Sequence, residues 1–344
     1  MLGYTVAPGI PELRAKIAAE YALRYGVPVD PEEVVITTGS SAGFQLAILA
    51  AFEAGDQVAI TRPGYPAYRN TLVALGCRVV DLDVGPANRF QPTVAMLDAL
   101  PEAPAGLVVA SPSNPTGTII DTGELAELAA WCARHDCLLI SDEIYHQISY
   151  GRPCASARQF GSDAVVVGSV SKYHSMTGWR LGWLLLPKEL RRPVELLQGN
   201  LAICAPAVSQ AAALAAFSPE ARAELDGHVA RYARNRDLLL RRLPELGVTT
   251  FAPPDGAFYA WADCSTACAR LGVPTPTVSA MPQWSTPMPF IRRTTCSTSS
   301  GVTSPWYGQP SATETAQRTR MPSACAAARI ASGRSCSPER SPAE

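Results

Sequence analysis

From residue 9 to about residue 186 the chain alternates short apolar runs with longer amphipathic segments, and that rhythm narrows the possible folds sharply. Residues 9–25 predict a helix: Pro11 suits a first turn, Ile10, Leu13, Ile17 and Tyr21 share one face, and Gly26 ends it. Val34–Thr37 predicts a strand, followed by the turn Gly39-Ser40-Ser41 and a helix through Glu53. Further strands are predicted at 57–61, 78–82, 106–110, 137–141 and 164–169, because those runs are apolar and rich in branched residues. Helical patterns fall at 93–100 and from an Asp121 cap, completed by Glu124, to about His135. Strands alternating with helices demand right-handed crossovers, hence a mostly parallel sheet covered by helices. Residues 181–186 follow the previous strand too closely for a crossover helix, so they are expected to pair antiparallel at or near an edge. In such sheets a ligand sits beyond the carboxyl ends of the strands.

The remainder divides by composition. Residues 219–243 predict a long helix, with strands near 248–251 and 257–261. The expected organisation is an N-terminal helix and arm over 1–30, a large α/β domain over 31–218, and the start of a small α+β domain over 219–263. After Asp263 no Asp or Lys occurs, Ser, Thr, Pro and Arg dominate, and no helical or strand period persists, which predicts a low-order tail over 264–344. Such a tail reads as an out-of-frame C-terminus, with a genuine disordered tail as the alternative.

Charge and cysteine content exclude some classes. A formal net charge of −1 gives no basis for a nucleic-acid or membrane-surface partner. No apolar run approaches a membrane span; residues 201–217 come nearest, and Pro206, Ser209 and Gln210 interrupt them. Met1-Leu2-Gly3-Tyr4-Thr5 has no basic region followed by an apolar stretch, which predicts a cytoplasmic protein. The 10 cysteines form no CxxC pair, so isolated thiols are expected rather than a metal centre.

The run Ser169-Val170-Ser171-Lys172-Tyr173-His174-Ser175-Met176-Thr177-Gly178-Trp179-Arg180 carries the chemistry. Lysine is scarce, at positions 16, 172 and 188, and Lys172 follows directly on a buried strand. An ammonium there is costly unless it is paired or neutral. One amine, two hydroxyls and an arginine are the parts needed to hold an aldehyde cofactor bearing a phosphate: the amine forms a Schiff base, and the hydroxyls and guanidinium take the phosphate. This run resembles the pyridoxal-phosphate lysine segment of the class I/II aminotransferases. Asp142, at the end of an apolar strand, is suited to pair with a pyridine nitrogen and keep it protonated, and Tyr145 to bond the phenolic oxygen and lower the Schiff-base pKa. By themselves these two read as an acidic turn and a core tyrosine; their place about thirty residues before Lys172 favours the chemical role. Gly39-Ser40-Ser41-Ala42-Gly43 opens a helix straight after a strand, so Ser40, Ser41 and Ala42 form a candidate phosphate cradle beside Ser169, Ser171 and Arg180.

The resemblance implies more. It places Asn114, in the turn Asn114-Pro115-Thr116-Gly117, at the phenolic oxygen and Tyr65 on the face of the pyridine ring. It likens Tyr4 to a tyrosine that reaches the phosphate of a neighbouring subunit. It implies fold type I, a homodimer, pyridoxal 5'-phosphate as cofactor, and an amino group moved from an amino acid to a 2-oxo acid, with Lys172 shuttling the α-proton. Another reaction of the same cofactor (a lyase or decarboxylase), or an impaired cofactor-binding remnant, stays open at this point. Two departures bear on activity. The family carries a further segment before Gly3-Tyr4-Thr5, and its small domain supplies an arginine, near an Arg-x-Ser context, that clamps the substrate carboxylate. No such context follows Asp263; Arg292 and Arg293 are the stand-ins, which leaves turnover in question.

Overall fold

The computed structural model describes residues 3–272. The chain runs through α1 (Pro11–Tyr25), β1 (Val34–Thr37), α2 (Gly39–Ala51), β2 (Gln57–Arg62), α3 (Pro66–Ala74), β3 (Arg78–Asp83), α4 (Val94–Asp98) and β4 (Gly106–Ala110). It continues through α5 (Thr122–Arg134), β5 (Leu138–Asp142), β6 (Val165–Ser169), β7 (Gly182–Leu185), α6 (Lys188–Leu201), α7 (Ala207–Ala216), α8 (Pro219–Arg242) and α9 (Ser265–Leu271). Residues up to Asp263 form one compact unit; α9 lies in a second, which begins at Cys264. Arg292 and Arg293, and most of the predicted tail, fall outside the described residues.

The sheet has seven strands in the order β1-β7-β6-β5-β4-β2-β3. β7 runs antiparallel to both β1 and β6, and the other pairings are parallel, as the short connection before it required. Alternate residues feed opposite faces. Ile36, Ala59, Leu107, Val109, Leu139, Val166 and Leu185 pack in one core with α1 and α5. Val35, Val58, Ile60, Val108, Ile140, Val165, Val167 and Leu184 pack in the other with α2 and α3. Both faces are therefore covered, which is why these strands read as unbroken apolar runs.

Local signals explain the helix ends. Gly26 closes α1 at φ 66°, its N–H bonded to the Ala22 carbonyl. The Asp121 N–H donates to Glu124 Oε2 at 3.2 Å ahead of α5, and Ser218 Oγ accepts from the Ala221 N–H at 3.2 Å to start α8. Pro206 stands immediately before α7 rather than interrupting it. The strands expected near 248–251 and 257–261 are reduced to a short antiparallel contact, with the Ala252 N–H on the Trp261 carbonyl and the Asp263 N–H on the Thr250 carbonyl. Pro253 and Pro254 lack donors to extend it. The backbone of Gly256 and Ala257 instead bonds the Gly117 and Ile148 carbonyls, both at 2.8 Å.

Gly182 shows how closely α2 approaches the sheet. A Cβ there would lie 2.7 Å from the Ser40 nitrogen and 2.8 Å from the Gly168 carbonyl oxygen, both backbone atoms that cannot swing aside. Gly182→Ala is expected to cost about 1–3 kcal/mol of stability and to displace the start of α2. Urea unfolding checks the first, and an unchanged midpoint would show that the contact is looser than this geometry requires.

Candidate active site

The sheet register brings the strand-end members of the predicted site to one end of the sheet. Asp142 ends β5 and pairs with Ala110, the last residue of β4; Ser169 ends β6 and pairs with Gly182, which also pairs with Thr37 at the end of β1. The carboxyl ends of β1, β4, β5 and β6 thus face the same side.

Lys172 lies in the turn directly after β6 and is half-buried. Its Nζ stands 5.5 Å from the centroid of the Tyr145 ring and 5.9 Å from that of Phe258. Burial pulls its pKa below the ordinary lysine value, and the Arg180 charge acts in the same direction, opposed by Asp142. Asp142 is almost wholly buried. Its Oδ1 accepts the Ile144 N–H at 3.0 Å and its Oδ2 accepts the Tyr68 hydroxyl. Burial pushes its pKa up to about 6, against those two hydrogen bonds and the Lys172 charge. Tyr145 is buried, its hydroxyl 2.5 Å from that of Tyr259. Asn114 is buried, and its Oδ1 has no partner among the described residues.

The other end of the cluster is suited to an anion. Thr38 precedes α2, so the N–H groups of Ser40, Ser41 and Ala42 belong to the first turn, where backbone donors are unpaired. The Arg180 guanidinium lies across Gly39, its Nη2 2.6 Å from where a Cβ would stand. Arg180 takes a left-handed conformation, with φ 51°, and its Nη1 donates to the Thr177 carbonyl. Ser169 Oγ lies 2.7 Å from Ser171 Oγ and accepts the Ser171 N–H at 3.0 Å. Tyr65 precedes α3, edge-on to Tyr68 with 5.4 Å between centroids. Tyr4 is 82% exposed.

Asn114, Asp142, Lys172 and Arg180 thus supply an amide, a carboxylate, an amine and a guanidinium at or just after strand ends or beside the start of α2. The sequence matches the family described as "Aminotransferase class I and II" over residues 1–285. The chain belongs to the class I and II aminotransferases. It is 59% identical over 266 residues to a valine–pyruvate aminotransferase of Mycobacterium tuberculosis, covering 77% of this chain and 69% of that protein. An aspartate aminotransferase of Streptomyces avermitilis is 32% identical over 264 residues, covering 75% and 64%. Among solved structures, an aminotransferase from M. tuberculosis superposes with a TM-score of 0.76 at 56% identity, covering 79% of this chain and 72% of that one. The aspartate aminotransferase from Thermus thermophilus with maleate gives 0.74 at 31% identity, covering 78% and 73%.

This aminotransferase family uses pyridoxal 5'-phosphate, and the residues here fit that group. Asp142 carries a buried charge that a cationic ring N–H would relieve. Lys172 is an amine whose charge is disfavoured and which makes no ion pair among the described residues. Asn114 offers an unpartnered amide oxygen. Two participants were not legible in the sequence, Tyr68 and Tyr259, which bond Asp142 and Tyr145. Tyr68 follows Tyr65 by one helical turn, a spacing that could have flagged it. Tyr259 had no such signal. No group of His, Cys, Asp or Glu among the described residues is placed to hold a metal ion, and no helix there is long and apolar enough to cross a membrane.

Behind Asp142 lies a second buried set. Glu143 Oε1 accepts from the Ser141 and Ser156 hydroxyls and the Ala157 N–H, yet burial raises its pKa to about 8. Burial lowers His146 to about 3 and His174 to about 4. The two histidines stabilise the fold only above the ordinary value near 6.5, and that stability is lost as pH falls toward 3–4. Asp142 and Glu143, raised in the fold, are most favourable when protonated, so stability falls as pH rises from about 4 toward 8. The two trends cancel between about pH 4.5 and 6 and leave the cofactor-free protein most stable at about pH 6–7, where the histidine loss has ended and Glu143 is still protonated in the fold. Thermal unfolding at a series of pH values tests this; a midpoint still climbing from pH 6 to 8 would contradict it.

Proposed function

We propose that this chain moves the amino group of an aliphatic amino acid of the valine type to a small 2-oxo acid such as pyruvate. The observation that carries this is the 59% identity over 266 residues to the valine–pyruvate aminotransferase. When bound, the cofactor supplies an aldehyde that exchanges amines and a protonated ring that withdraws electrons from the substrate's α-carbon. Lys172 Nζ holds the cofactor covalently, then takes the proton from the α-carbon and returns it, work that suits an amine kept from its usual charge. Asp142 holds a proton on the ring nitrogen. Tyr145 and Asn114 bond the phenolic oxygen, and Tyr65 packs on the ring. The first-turn N–H groups of Ser40, Ser41 and Ala42, together with Ser169, Ser171 and Arg180, hold the phosphate.

Dimerisation belongs to the same proposal. Tyr4, Val6, Trp179, Leu201, Ile203 and Val208 are large apolar side chains between 44% and 82% exposed. The N-terminal arm and the Trp179 turn both bond α7, through Gln210 to Thr5 and Ser209 to the Trp179 carbonyl. An apolar surface gathered around α7, next to Arg180, favours a second copy, with Tyr4 reaching that copy's phosphate site. The described cysteines are all free thiols, which favours the cytoplasm.

The test is direct. Full-length protein loaded with pyridoxal phosphate is given L-valine and pyruvate, and alanine and the valine-derived 2-oxo acid are quantified. Both should accumulate in equal amounts. Transfer from aspartate but not from valine would overturn the substrate assignment, and no transfer from any amino acid would overturn the activity.

A further inference from the structure

Tyr145 and Tyr259 meet hydroxyl to hydroxyl, and each phenol has one proton to give. Two separate parts of the chain make this contact: Tyr145 follows β5, whereas Tyr259 belongs to the segment after α8. That segment is tightly anchored. Asp255 Oδ2 accepts from Arg89 Nη2 at 2.6 Å and from the Ile119 N–H at 3.1 Å. The Gly256 N–H donates to the Gly117 carbonyl at 2.8 Å, in the turn that carries Asn114, and the Tyr150 hydroxyl donates to the Ala257 carbonyl. A Cβ on Gly256 would stand 2.6 Å from Pro112 Cγ and 2.7 Å from the Ile148 carbonyl oxygen, so the backbone there fits only as glycine. Phe258 then packs edge-on to Tyr145, with 5.5 Å between centroids, on the side from which Lys172 Nζ approaches both rings. The Tyr259 hydroxyl is thereby held at a fixed position rather than left to wander on a loop.

We propose that Tyr259 is a positioning residue for the cofactor's phenolic oxygen: its hydroxyl donates to Tyr145 Oη and so commits the single Tyr145 proton to that oxygen. This rests on the reading that Tyr145 faces the phenolic oxygen. That oxygen, when ionised, only accepts, so Tyr145 must be the donor to it and can serve Tyr259 only as acceptor. A donor on Tyr145 Oη polarises it and strengthens its own donation. The hydrogen bond is strongest when negative charge on the phenolic oxygen is greatest, which is in the basic form of the lysine-linked cofactor. Tyr259 therefore lowers the pH at which that form appears, and the segment after α8 acts on the electronics of a group bound at one end of the sheet.

The experiment follows the visible absorbance of the cofactor-loaded full chain across pH, without substrate. Tyr259→Phe, which removes one oxygen and keeps the ring, should raise the titration midpoint by about half a pH unit. Tyr145→Phe should raise it further, and the double variant should match Tyr145→Phe alone, because Tyr259 acts only through Tyr145. A cofactor analogue lacking the phenolic oxygen gives a second readout: Tyr259→Phe should weaken binding of the natural cofactor about threefold and leave binding of the analogue unchanged. An unmoved midpoint in Tyr259→Phe beside a shifted one in Tyr145→Phe overturns the proposal and leaves Tyr145 in its role. No shift in either variant removes Tyr145 from the phenolic oxygen and the proposal with it. Equal weakening toward cofactor and analogue would show that Tyr259 serves packing alone.

Discussion

Lys172→Ala is expected to abolish covalent retention of pyridoxal phosphate and to lower transamination by at least ~10³-fold, since it removes both the nucleophile and the proton carrier. The other two lysines do not substitute for it: Lys16 lies in α1 and Lys188 opens α6. Lys172 alone stands past a strand end, near Asp142 and Arg180, with burial favouring its neutral, nucleophilic form. Lys172→Arg separates charge from chemistry, because it keeps a cation but offers no amine that forms a Schiff base; it should lose activity as fully as the alanine variant. Borohydride reduction of loaded protein followed by peptide mapping checks the assignment. The label should fall on the Lys172 peptide, and a folded, loaded protein with position 172 unmodified would end this reading.

Asp142→Asn should move stability and cofactor binding in opposite directions. Asparagine keeps one acceptor, for the Ile144 N–H, and offers its amide N–H to the Tyr68 hydroxyl, which then accepts instead of donating, while the buried charge is removed. A carboxyl raised from 3.8 to about 6 carries a penalty on the order of 3 kcal/mol when ionised, so the cofactor-free variant should unfold at higher urea than the parent at pH 8 and show little difference at pH 4. Cofactor binding should suffer, because a charge-assisted hydrogen bond of roughly 1.5–3 kcal/mol becomes a neutral one, a loss of up to about 10- to 150-fold in affinity. Urea midpoints with and without cofactor measure both effects. A variant less stable than the parent without cofactor at pH 8 would mean that the Asp142 charge is better satisfied by the protein than its burial implies.

Which parts of this structure could be read from the sequence follows from the range of each interaction. β4 was predicted to the residue, because an uninterrupted apolar run between turn signals has only a buried strand as a compact solution. α5 was legible through Asp121 and Glu124, a cap that acts over three residues. The antiparallel run of β7 followed from chain length alone. By contrast, α3 was not expected, and the strand pairing after α8 was overestimated because Pro253 and Pro254 were given too little weight. The site shows the same division. Lys172, Asp142 and Arg180 lie in local patterns that chemistry explains. Tyr68 and Tyr259 take their roles from partners 74 and 114 residues away, and a single sequence does not mark such contacts.

The connection from β6 to β7 holds the amine and the guanidinium on one loop whose two ends are paired directly, Ser169 to Gly182. Inside it the Thr177 hydroxyl ties back to the Ser171 carbonyl and the Met176 N–H to the Val170 carbonyl. Such a loop works as a gauge. On the proposed reading Lys172 would hold the cofactor's aldehyde and Arg180 its phosphate, and a single braced span would set the distance between the two grips without help from the remaining strands. Lengthening or shortening this span by one residue would detune both grips at once, whereas the helical crossovers elsewhere are free to vary in length.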